Sequence, residues 1–156
     1  MILAIIVIGI VSGVTAKILV GGIDTYSFIT NRKDATQHAR VGMERMVAEL
    51  NLVEWFDVTW MGNDHLSFID NGGSATAFQV RSRDGIPTLE RGTDFLAGPL
   101  NSIDFDYLRE DGSNAVFNFQ MKKINIDLTI DSIGGYGSIT IRTEVFPRNM
   151  MYTDFE

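Results

Sequence analysis

Hydrophobic and polar positions along this chain change period twice, and the two changes divide it into three parts. Residues 1–23 (MILAIIVIGIVSGVTAKILVGGI) are apolar almost without interruption. From Phe28 the pattern takes a helical period, with Ala35, Ala39, Met43, Met46 and Leu50 at three- and four-residue steps forming one apolar stripe. After Leu52 the period falls to two, with turn residues between short runs. This predicts a long helix over 1–52, whose first part (1–23) is apolar and whose second part (24–52) is amphipathic, followed by a sheet domain over 53–156. The fold class is α+β: an antiparallel sheet laid on the second half of the helix. No proline occurs before residue 53. Gly21-Gly22 is the expected joint, because each glycine costs about 1 kcal/mol relative to alanine inside a helix. About 50 helical residues would extend ~75 Å, so half of the helix must project from the folded part.

The strands are read from alternation and turn chemistry. Val53–Met61 is apolar and aromatic, His65–Ile69 is a short strand, and Ala75–Arg81 is followed by the hairpin pair Asp84-Gly85. Pro87–Arg91 is short and carries a proline, which predicts an edge strand. Ser102–Leu108 places Ile103, Phe105 and Tyr107 on one face. Within Val116–Ile130, Ile124, Ile126, Leu128 and Ile130 alternate with polar residues. After the turn Gly134–Gly137, Ser138–Phe146 sets Ile139, Ile141 and Val145 on one face. These side chains are expected to close on the helical stripe, leaving Asp104, Asp106, Asp127, Arg142 and Glu144 on the wet face.

The apolar segment is about as long as a bilayer core is thick. It begins without the basic flank of a secretory signal and runs straight into the amphipathic helix, so it reads as a retained anchor. Lys17 lies deep within it, where a charge is costly in lipid. Gly9 and Gly13 form a small-xxx-small pair, and Ile5, Ala16, Lys17 and Val20 join them as candidate helix-packing positions. A helix that exchanges lipid for copies of itself fits this pattern.

Composition narrows the chemistry. The net charge of −7 argues against a nucleic-acid partner, which needs clustered positive charge. The absence of cysteine rules out disulfides, thiolate metal sites and cysteine nucleophiles. Arg40 with Glu44, and Arg45 with Glu49, are spaced to pair on the helix surface. His38 and His65 lack the companions a catalytic or metal site needs, and Trp55 and Trp60 read as core. Asp104, Asp106 and Asp111 are the only weak calcium candidates. The first two alternate onto a wet face, Asp111-Gly112 is an ordinary turn pair, and EF-hand spacing is not met. No catalytic, phosphate-binding or dinucleotide motif occurs, so neither an enzyme nor a cofactor is expected.

The run MILAIIVIGIVSG resembles the amino-terminal helix of the type IV pilin superfamily, which includes pilus subunits and the pseudopilins of type II secretion. In that family the run follows a leader, a cleavage site and a glutamate, which would lie upstream of Met1. Gly9 matches the family's helix glycine. Lys17 stands where many members carry proline, and Gly21-Gly22 is expected to supply the joint instead. Arg45–Leu50, Ser102–Leu108 with Asp111-Gly112, Ile124–Ile130 and Thr143–Met150 are similar to minor-pilin and J-type pseudopilin sequences. The resemblance implies export, leader removal, residence in the inner membrane, and machine-driven assembly with copies of itself or related pilins into a helical extracellular filament. Two alternatives are a minor pseudopilin of a secretion pseudopilus and, from another class, an anchored periplasmic ligand-binding or sensor domain.

Overall fold

The computed structural model describes residues 2–132 and 137–147, with the side chains of residues 3–5 outside that description. It is an α+β fold, a long amino-terminal helix packed against antiparallel sheets. Helix α1 spans Ile2–Leu50, 49 residues or about 74 Å, without a break. It ends by tightening: Leu52 N–H donates to the Glu49 carbonyl at 3.0 Å and Val53 N–H to the Leu50 carbonyl at 3.4 Å. The joint expected at Gly21-Gly22 is not there. Both glycines stay helical, and the Thr25 hydroxyl donates to the Gly21 carbonyl at 2.8 Å. A glycine pair weakens a helix by about 2 kcal/mol, but helical turns on both sides carry the ladder across it.

The stripe Ala35, Ala39, Met43, Met46 and Leu50 is buried as expected. Gly42 is buried beside it, and a Cβ there would sit 3.0 Å from the Ala97 Cβ. Small residues at Ala39, Gly42 and Ala97 therefore let the helix backbone close on the sheet. That contact offsets the roughly 1 kcal/mol by which a mid-helix glycine is disfavoured against alanine.

Two sheets, rather than the single one expected, cover this part of the helix. The first is a five-stranded meander of β1 (Val58–Met61), β2 (His65–Ile69), β3 (Ala75–Arg83), β4 (Ile86–Arg91) and β5 (Asp94–Ala97). The second is a three-stranded meander of β6 (Leu100–Leu108), β7 (Lys123–Asp131) and β8 (Ser138–Val145). The chain leaves the first sheet through a cis Gly98-Pro99 peptide. Period-two alternation reports which face of a strand is buried and says nothing of which strands pair, so the division was not legible.

Asp84 and Gly85, both in the left-handed region (φ 54° and 80°), form the two-residue turn between β3 and β4. β4 is not an edge strand; it pairs with β3 and β5. Pro87 is accommodated because β5 runs opposite only Leu89–Arg91, leaving Pro87 beyond its end. Val53–Met61 begins with a 3₁₀ turn at Trp55–Asp57 before β1 starts. Trp60 is 65 % exposed on the outer strand β1, against the expectation of a core residue. Trp55 is half-buried, edge-on to Phe56 at 5.7 Å. The Gly134–Tyr136 part of the expected turn and the stretch after Pro147 lie outside the described residues.

Both sheets and the helix share one core. Leu66, Phe68, Phe78 and Leu89 enter it from the first sheet, and Phe105, Ile124, Ile126, Leu128 and Ile130 from the second. Ile103, Tyr107 and Val145 are buried there as expected, while Ile139 and Ile141 are half-buried and pack against it. Each large side chain so buried contributes about 1.5–3 kcal/mol. The sheets are also stitched directly. Phe105 N–H donates to the Asn63 carbonyl at 2.7 Å, and the Tyr107 hydroxyl donates to the Gly62 carbonyl at 2.8 Å. Burial raises the Tyr107 pKa well above that of a free phenol, keeping the hydroxyl a donor.

Candidate functional site

The first half of α1 is the feature that the fold leaves open. Its residues stay helical although Ile, Val and Gly are weaker helix formers than Ala or Leu, because no proline interrupts them and the helix continues unbroken from the body. Yet among the described residues the first buried position on the helix is Ala35. Ile6, Ile10, Val14, Ile18 and Ile23 are all exposed. The helix is long and apolar enough to cross a membrane, and its apolar window lies wholly outside the folded body.

Gly9, Gly13, Ala16 and Val20 fall at i, i+4, i+7 and i+11, so the unbroken helix aligns them on one stripe. All four are exposed, and a Cβ at either glycine would meet nothing within 4 Å. Ile5 is on the helix, but its side chain is outside the description. Lys17 lies about 80° round the helix from Gly9, on a neighbouring face. Gly21 and Gly22, expected as a joint, are exposed helical positions with open space around them.

The calcium candidates do not converge. Asp104 and Asp106 project from the exposed face of β6, where Asp104 is opposite Asp127, itself ion-paired with Arg142 at 2.9 Å. Asp111 is in the following turn and accepts from the Ser113 hydroxyl at 2.7 Å and backbone N–H at 2.9 Å. Those bonds lower its pKa, the Ser113 side chain contributing most. Among the described residues no group of three or more His, Asp and Glu is arranged to hold a metal. His38 is exposed and edge-on to Phe95, and His65 Nε2 is 2.6 Å from the Ser67 hydroxyl.

A pocket of about 180 Å³ opens at the end of the helix, lined by Glu49, Val53, Phe68, Asp70 and Arg91 among others. Its polar wall is already satisfied. Arg91 Nε donates to Glu49, and its Nη2 donates to Asp70 at 3.1 Å. Glu49 also takes the expected ion pair with Arg45, whereas Arg40 and Glu44 do not pair with each other. Glu49 and Asp70 raise the Arg91 pKa, Glu49 contributing most. The Ser74 backbone N–H, Arg91 and the Gly72 N–H lower that of Asp70. This triad clamps helix, β4 and the β2–β3 turn together, and its charges are consumed in doing so.

Three features of the fold leave little trace in the sequence. Arg91 and Asp70 lie 21 residues apart with no local signal to join them. Gly42 carries no sequence mark that separates it from the other helix glycines. Phe117 precedes the 3₁₀ turn Asn118–Gln120 and Phe119 lies within it; the two stack at 5.5 Å and are exposed, as is Phe56 on the adjoining 3₁₀ turn. Phe117, Phe119 and Met121 alternate with Asn118 and Gln120, which reads as a strand with one buried face, so the sequence held no signal of an exposed aromatic pair on a turn.

The architecture defines the class: a folded α+β body carried on the carboxy-terminal half of a helix whose apolar half stands free. No family model, curated protein or solved structure matches the chain.

Proposed function

We propose that this protein is a structural subunit of a type IV pilin-like filament, assembling through the amino-terminal half of α1. The observation that carries this reading is the continuity of the helix. One unbroken rod runs from the core of the body to an apolar arm with no linker between them. Such an arm is buried only by lipid or by other helices, and the stripe Gly9, Gly13, Ala16 and Val20 suits close helix contact. The subunit is held in the inner membrane by this arm and passes from there into an extracellular filament of like subunits. It is a building block and not an enzyme.

The test uses the full-length chain expressed in a bacterial inner membrane, with self-association read by energy transfer between tagged copies and assembly products viewed by electron microscopy. Gly13→Leu should lower association about tenfold while the body's thermal unfolding stays unchanged, since Gly13 touches nothing in the body. Undiminished association of that variant, or a wild-type chain that stays monomeric at every density, would overturn the reading.

A further inference from the structure

Lys17 and Asp24 are seven residues apart on an unbroken helix. Seven steps of about 100° bring them within ~20° of one line, separated by ~10.5 Å along the axis. Both are exposed, and neither has a polar partner among the described residues. At that separation they cannot neutralise one another within a chain. Gly13 and Gly21 lie one turn to either side of Lys17, each about 40° round the helix from it, and a Cβ at either would meet nothing within 4 Å. Lys17 and Asp24 therefore form a row of one cation and one anion, with a glycine gap to either side of the lysine. Gly21, no hinge in this helix, takes a different role as one of those gaps.

We propose that the occupant of this face is a second copy of the chain, its helix parallel and displaced by about 10.5 Å, so that Lys17 of one copy meets Asp24 of the next. The proposal rests on the filament reading and adds its register. Charge complementarity selects this displacement. Parallel helices without a shift would set lysine level with lysine and aspartate level with aspartate, which is repulsive in an apolar surrounding. Antiparallel helices would place the folded bodies on opposite sides of the membrane. A displaced pair uses Lys17 of one subunit and Asp24 of the other, leaving Asp24 of the first and Lys17 of the second for further copies. The contact is thus head-to-tail and does not close, which is the geometry of a filament rather than of a dimer. Glycine gaps beside the charges let the helices approach until the lysine stem lies over apolar surface and its ammonium reaches the carboxylate.

Charge reversal in the full-length chain tests this, with association in the membrane again read by energy transfer. Lys17→Asp and Asp24→Lys should each lower association about tenfold, because each places like charges together. The double variant Lys17→Asp/Asp24→Lys should recover it to within about twofold. The chain has no cysteine, so a second measurement is free of background. Mixed copies carrying Lys17→Cys or Asp24→Cys should be joined by a short bis-maleimide, and copies carrying either substitution alone should not. Wild-type association with unaffected single reversals, or with joining of Lys17→Cys to itself, overturns the register and leaves the filament reading standing. A wild-type chain that does not associate at all overturns both.

Discussion

Arg91 shows how one side chain can carry a junction that no local pattern announces. It reaches Glu49 on the helix and Asp70 in the β2–β3 turn from the end of β4. Removing it strands two carboxylates, so Arg91→Leu should lower the melting temperature by about 5 °C, checked by circular dichroism. The pH dependence follows from the same bonds. Asp70 has a folded pKa below its unfolded value of about 3.9, so its stabilisation is present above pH ~4 and is lost as pH falls through the folded value. Asp70→Asn should remove that acid-side loss while leaving the melting temperature at pH 7 lower than wild type. The five positions of the helical stripe were legible because each recurs at a fixed spacing. Trp60 was misread because aromatic size predicts burial on average, while its place on an outer strand decided otherwise.

At the scale of elements, long periodic segments were readable and short ones were not. His65–Ile69 emerges with the bounds expected, and the Asp84-Gly85 turn sits where its chemistry demands. β5 has four residues, Asp94–Ala97, too few to display a period, and it went unseen. Pro87 pointed to an edge because proline cannot donate to a ladder, but the neighbouring strand ends before reaching it. The helix is continuous where glycines suggested a joint. Gly21→Ala/Gly22→Ala should therefore stabilise the arm by about 2 kcal/mol with no change of shape. Hydrogen exchange of the full-length chain in detergent is the check, through slowed exchange at residues 19–26. A bend that disappears on substitution would contradict the straight helix.

Across the whole molecule, two sheets and one helix half close a single core, so the body should unfold as one unit. Far-ultraviolet ellipticity and tyrosine–tryptophan fluorescence of the detergent-solubilised chain should give coincident denaturant midpoints for the body. Separate midpoints would mean that the five- and three-stranded sheets are independent. The candidate assembly face was legible in advance as apolar composition with small residues at helical spacing. Its exposure had to come from the fold, since the same composition suits a buried helix. The shared spine has a mechanical consequence. Tension applied along a filament would enter each subunit through its helix and leave through the side contacts of Ala35 to Leu50, about 22 Å of packed length. That length is loaded in shear, so its contacts resist together rather than peeling one by one. The Glu49–Arg91–Asp70 clamp lies at the far end of this path. Under such a load it would act as a stop that must break before the helix could be drawn out of the body.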